Sequence, residues 1–119
     1  MKKLTVVALT VCFVVLLSVG GACDTPDSPA QVEYKITGTA SQVDVTLTNA
    51  TGGTEQYSDV FVPHTYTFHN YTHWFLYISA QNQGGSGSVI VTIYLNGEVV
   101  NTATSSGAYV IATASHSRL

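Results

Sequence analysis

A β-hairpin is encoded in one continuous stretch, Val89-Ile90-Val91-Thr92-Ile93-Tyr94-Leu95-Asn96-Gly97-Glu98-Val99-Val100. β-Branched and aromatic residues lead up to Asn96-Gly97, the residue pair that best fits the type I′ turn of a two-residue hairpin loop. A second run of residues suited to a strand, 98–104, follows the turn directly. The stretch therefore predicts two neighbouring antiparallel strands.

Polar and apolar residues also alternate upstream, in residues 32–37 and 43–48. A period of two predicts strands that bury one face and leave the other in water. Residues 73–81 have hydrophobic side chains on both faces, which indicates a central strand. Further strands are predicted at residues 55–62, 64–68 and 108–113, between loops that contain glycine.

No helical period follows residue 22, and we count seven or eight short strands. The sequence therefore predicts an all-β domain, a small immunoglobulin-like antiparallel β-sandwich of about seven strands, over residues 32–115 with a polar tail at 116–119. A small closed barrel is the alternative, because periodicity does not distinguish an open sheet from a closed one.

The N-terminal segment has the pattern of an export signal. Two lysines precede an apolar run at residues 4–19, and small residues lead to Cys23. Residues 1–22 are predicted to be a lipoprotein signal peptide, with Cys23 acylated, or an anchor helix; simple secretion is the third alternative. Residues 23–31 are predicted to be a flexible tether. Each alternative exports the domain to the outer side of the cell membrane or the periplasm.

Composition limits the partners of the exported chain. From Cys23 onward 97 residues remain, enough for one domain, with two basic residues against seven acidic ones and a net charge of two minus seven, or −5. Lys35 and Arg118 alone do not neutralise a phosphate backbone, so no nucleic-acid partner is expected. No cysteine follows Cys23, which excludes a disulfide inside the domain.

Residues for catalysis are not grouped in the sequence. No turn of the nucleophile-elbow type presents a serine, and the carboxylates are isolated, so neither catalytic residues nor a cofactor is predicted. His64, His69 and His73 form the one cluster with metal-ligand character, because a hairpin between residues 68 and 74 would place His69 opposite His73. The favoured interpretation is a polar turn at residues 69–72 without a metal.

Aromatic residues have two possible uses, as core or as a binding surface. Phe68, Trp74 and Tyr109 are assigned to the core. A possible exposed patch for a partner or an amphiphile is formed by Tyr57, Phe61, Tyr66, Tyr71 and Tyr94. The alternative is that these tyrosines only pair across the sheet.

An ordered set of segments resembles a known family. The segments are residues 32–38 (VEYKITG), 43–49 (VDVTLTN), 62–68 (VPHTYTF), 87–100 (GSVIVTIYLNGEVV) and 106–109 (SGAY). Together they resemble the extracytoplasmic domain of the mycobacterial membrane protein small (MmpS) family of transport accessory proteins. The similarity covers nearly all of residues 31–115.

The resemblance implies a tethered β-sandwich without catalytic residues that assists a resistance-nodulation-division (RND) transporter of the MmpL type in exporting lipids or siderophores. The chain differs from many relatives, which have a cysteine pair in place of Val91 and Ala112, a tryptophan in place of His64, and a membrane-spanning helix in place of a lipid signal. Alternative functions are a structural or adhesive surface lipoprotein and a periplasmic protein that binds a metal through its histidines.

Overall fold

A computed structural model describes residues 29–118, which contain eight β-strands and no helix. The strands are β1 Ala30–Thr37, β2 Gln42–Thr48, β3 Thr54–Phe61, β4 His64–Tyr71, β5 Phe75–Asn82, β6 Ser88–Leu95, β7 Glu98–Ser106 and β8 Ile111–Ser117. In this range, no helix has the length and apolar character needed to cross a membrane. The predicted signal segment and Cys23 lie outside the described residues.

The strands form two four-stranded antiparallel sheets, one in the order β3-β2-β5-β8 and the other in the order β4-β1-β6-β7. The predicted hairpin is confirmed as β6 and β7, and its turn residues Asn96 and Gly97 both have positive φ, at 51° and 85°. The strands β2 and β3 form the second hairpin, and every other connection between these strands crosses to the opposite sheet. The predicted antiparallel sandwich is therefore confirmed, with eight strands.

The core lies between the two sheets. Alternation in the four interior strands points every second side chain into the core. Each valine, leucine or isoleucine buried in this way stabilises the folded state by about 1.5–3 kcal/mol relative to an exposed side chain. Val91 and Ala112 both lie in this core, packed as apolar residues. The inward-facing residues of the interior strands include Val32, Tyr34, Ile36, Val43, Val45, Leu47, Leu76, Ile78, Ala80, Val89, Val91 and Ile93.

The sandwich extends two residues beyond the predicted boundaries, residues 32 and 115, at each end. β1 begins at Ala30, which is buried and pairs with Tyr71, so the sheet includes two residues assigned to the tether. β8 continues to Ser117, and the backbone N–H of Arg118 donates to the carbonyl of Trp74 at 2.8 Å. Sequence alternation missed these residues because the hydrogen-bonded ladder continues beyond the last large apolar side chain.

The two lateral sides of the sandwich differ. On one side β7 and β8, which belong to different sheets, are joined by side chains that bind backbone oxygens. Asn101 Nδ2 donates to the carbonyl of Ser115 at 2.7 Å, and Ser105 Oγ donates to that of Ile111 at 2.8 Å. On the other side β3 and β4 are joined at the corner by the cis Val62–Pro63 peptide bond, and a cleft separates them.

Candidate functional site

A cleft of about 460 Å³ opens between the edge strands β3 and β4. Because β3 belongs to one sheet and β4 to the other, the cleft is the unsealed side of the sandwich. Four of its side chains are aromatic or imidazole rings, and one wall is the proline at the corner between the strands. We call it the aromatic cleft; it is lined by Tyr57, Ser58, Val60, Phe61, Pro63, His64 and Tyr66.

A β-bulge in β3 shapes one wall of the aromatic cleft. Tyr57 pairs with Val45, whereas Val60 pairs with Val43, so β3 holds one more residue than β2 between these pairs. Asp59, within the bulge, has a φ of 59°. Because paired residues lie on the same face of a sheet, the bulge turns both Tyr57 and Val60 toward the inside of the sandwich although they are three residues apart.

The rings in the aromatic cleft make two contacts, one between the two sheets and one within β4. Tyr57 stacks on Tyr66 with centroids 5.0 Å apart and an interplanar angle of 24°. His64 meets the ring of Tyr66 at 4.5 Å in an edge-on arrangement. Both arrangements are favoured by the ring quadrupoles. Phe61 is 71% exposed beside this stack, so the cleft presents a large apolar side chain directly to solvent.

The electrostatics of the cleft favour uncharged groups. The hydroxyl of Tyr57 donates to the carboxylate of Glu55, and this hydrogen bond raises the pKa of Tyr57. Burial, together with Tyr57 and Glu55, raises the pKa of Tyr66 to about 12. Both phenols are therefore neutral near pH 7. Neither lysine nor arginine is among the residues that line the cleft, so it has no fixed cation for an anionic ligand.

The structure brings together three of the five residues predicted to form an exposed patch, Tyr57, Phe61 and Tyr66. Tyr94 lies elsewhere, on the interior strand β6 opposite Glu33. Tyr71 was predicted wrongly, because it is fully buried and its hydroxyl donates to the carbonyl of Phe75 at 2.7 Å. Its strand position pairs it with Ala30, and the opposite sheet covers that end of β4.

Two of the three aromatic residues assigned to the core are in fact exposed. Trp74 is 43% exposed and Tyr109 is 61% exposed, whereas Phe68 packs against the core as predicted. Trp74 precedes β5 and Tyr109 precedes β8, so both lie in connections between strands. The hydrophobicity of a residue alone does not predict its burial, because the connections between strands run over the surface.

The three candidate metal ligands do not form a group. β4 continues to Tyr71, so residues 69–71 are a strand and not the predicted turn. Because β4 and β5 belong to different sheets, His69 and His73 do not face each other across a hairpin. Among residues 29–118, no three histidine, cysteine, aspartate or glutamate side chains are close enough to share a metal ion. His64 lies instead in the aromatic cleft.

Sequence reasoning missed four members of the cleft, Ser58, Val60, Pro63 and His64. The available signal was the proline between two aromatic strands, which marks an edge position where the chain changes direction.

Comparison of the chain with known proteins gives no relative. No protein-family model matches the sequence, and a search of curated proteins finds no match.

Proposed function

We propose that the chain is a non-enzymatic binding module, held at the outer surface of a cell membrane through acylated Cys23 or the N-terminal helix, that engages an apolar partner surface through the aromatic cleft. The observation that carries this proposal is the asymmetry of the sandwich. Side chains of β7 join it to β8 on one side, and the side between β3 and β4 exposes aromatic rings. Exposed apolar groups that a fold leaves uncovered are typical of contact surfaces.

The position of the cleft suits a tethered module. The chain enters the sandwich at Ala30, opposite Tyr71 at the end of β4, whereas His64 and Tyr66 lie near the start of that strand. The six residue-to-residue steps from Ala30 to Ile36 span about 20 Å at the usual rise of a strand. A domain tethered at its N-terminus therefore presents the cleft away from the point of attachment.

The resemblance to the MmpS family supplies the transport part of the proposal. In this role the module assists an RND-type, MmpL-like transporter in exporting lipids or siderophores. The uncharged aromatic lining suits an apolar patch on the extracytoplasmic part of such a transporter, because ring faces bury large apolar area with few rotatable bonds.

Affinity purification of the intact protein from membranes tests the role and the site together. We expect a polytopic transporter to copurify with the unaltered chain and to be lost with Phe61→Ser. The matched control is Val99→Ser on β7, which also removes an exposed apolar side chain. Recovery of no transporter would overturn the accessory role, and equal recovery with both variants would overturn the role of the cleft.

Membrane attachment has a separate test. Mass spectrometry of the protein from its source membranes is expected to find an N-terminal Cys23 that carries acyl groups, or an uncleaved residue 1–22 segment in the membrane fraction. The variant Cys23→Ala separates the two by mass, since it abolishes acylation of the first form and changes the second only by the substitution. Unprocessed protein in the cytosol would contradict the proposal.

A further inference from the structure

A second cleft, of about 390 Å³, lies where the start of β2, the end of β5 and the turn before β8 meet. We call it the polar cleft; it is lined by Asp44, Asp59, Gln81, Asn82, Gln83 and Tyr109. We propose that the polar cleft binds an uncharged saccharide, independently of the aromatic cleft.

A buried asparagine builds the floor of the polar cleft. Asn82 is 1% exposed, and its Nδ2 donates to the carbonyls of Ser86 at 2.8 Å and Gly107 at 3.0 Å. Its Oδ1 accepts from the N–H of Gly84 at 2.8 Å. One side chain thus holds two connections, after β5 and after β7, in fixed positions. A floor with satisfied hydrogen bonds gives the cleft a preformed shape.

Strained backbone is concentrated at the same place. Within residues 29–118 three residues other than glycine have positive φ, and Asn96 belongs to the hairpin turn, where this conformation is required. The other two, Asp59 and Tyr109, both line the polar cleft. Such strain persists only where the surrounding structure holds the residue in place, and it is found preferentially at binding sites.

Tyr109 is held as an exposed platform. Its N–H donates to the carbonyl of Gly84 at 3.2 Å, and its own carbonyl accepts from Nε2 of Gln81 at 3.1 Å. These bonds fix the backbone of a residue that is 61% exposed. Because the backbone is already ordered, only the side-chain torsions of the exposed ring have to be fixed when it covers the C–H face of a sugar.

The polar side chains around this platform match sugar hydroxyls. Gln83 Nε2 donates to Oδ1 of Asp44, so Gln83 Oε1 and the second oxygen of Asp44 remain as acceptors. Asp59 adds a second carboxylate, and Gln81 an amide oxygen. No lysine or arginine lines the polar cleft, and its two carboxylates repel anions. The chemistry therefore favours a neutral saccharide over one with sulfate, phosphate or carboxylate groups.

Backbone amide NMR of the full chain tests the proposal. The protein is held in a detergent without a sugar headgroup and titrated with maltotriose, chitotriose and mannotriose. We expect at least one of them to shift the amides of Gln83 and Tyr109 in the millimolar range. Tyr109→Ala is expected to weaken that binding about tenfold, whereas Tyr109→Phe keeps the ring and the affinity.

Tyr57→Ala, in the aromatic cleft, is the matched control and is expected to leave saccharide binding unchanged. Absence of shifts with all three sugars would overturn the proposal. Equal affinity of Tyr109→Ala and the unaltered chain would also overturn it. Calcium chloride alone is a further arm, and shifts that appear with calcium but not with sugar would assign the carboxylates to a cation instead.

Discussion

The hydroxyl oxygens of Tyr34 and Tyr71 lie 3.2 Å apart inside the sandwich. Both tyrosines belong to the β4-β1-β6-β7 sheet, and both reach backbone groups of the opposite sheet. Tyr34 donates to the carbonyl of Thr48 at 2.8 Å, and Tyr71 to that of Phe75 at 2.7 Å. Asn82 is the one buried residue of polar type among the described residues, and the tyrosine pair is a polar connection between the two sheets.

Removing the hydroxyl of Tyr34 should destabilise the protein. Tyr34→Phe leaves the carbonyl of Thr48 without this donor, and we expect the free energy of unfolding to fall by about 1–3 kcal/mol. Tyr71→Phe should have a similar effect, and the double variant should cost less than the sum because the hydroxyls share one network.

Urea denaturation measures these changes, with Tyr94→Phe as the control, expected within about 0.5 kcal/mol of the unaltered chain. Strict additivity of the two core variants would show that the hydroxyls act independently.

Alkaline pH should weaken the fold through Tyr66. The pKa of Tyr66 is about 12 in the folded protein, whereas that of a tyrosine in an unfolded chain is 10.0. The unfolded chain therefore releases this proton first as pH rises. The contribution of Tyr66 is therefore fully present below about pH 10 and is lost as pH rises to about 12.

Denaturation midpoints measured across this pH window are expected to fall with pH, and Tyr66→Phe should make the fall less steep. Burial also raises the pKa of Tyr34, so a remaining slope in the variant is expected. An identical slope in both proteins would contradict the assignment to Tyr66.

Replacing Asn82 should cost more than replacing a surface asparagine. Asn82→Ala removes one acceptor and two donated hydrogen bonds from a buried position, and we expect a loss of about 2–4 kcal/mol. Asn70→Ala, at an exposed position in β4, should change stability by less than about 0.5 kcal/mol. Thermal melting followed by circular dichroism compares the two, and equal melting temperatures would refute the structural role of Asn82.

Two glycines offer a matched pair of alanine substitutions. Gly38 has a φ of 124°, and a Cβ there would lie 2.3 Å from the carbonyl oxygen of Ser88, so Gly38→Ala should destabilise by more than about 2 kcal/mol. A Cβ on Gly85 meets nothing within 4 Å, and Gly85→Ala should be neutral or slightly stabilising. Urea denaturation of both variants provides the measurement, and a tolerated Gly38→Ala would place this turn in another conformation.

Much of the fold could be predicted because local patterns act within one strand. The alternation of Val32, Tyr34 and Ile36 requires an extended segment with one buried face, and Asn96-Gly97 requires a tight reversal. The candidate site was only partly predictable. Tyr57, Phe61 and Tyr66 were recognised as possible surface residues. Nothing in the sequence indicated that a bulge at Asp59 and the packing of one sheet on the other bring them together.

The sequence by itself determined that the described chain is built of short antiparallel strands, since side-chain period and turn residues depend on neighbours along the chain. The tertiary structure decided that these strands form two open sheets and not a closed barrel. Only the tertiary structure decided which aromatic residues are exposed. Tyr71 is buried and Trp74 is accessible, three residues apart, because burial at a strand end depends on whether the other sheet extends over it. That coverage is set by contacts between residues distant in sequence, which no local pattern encodes.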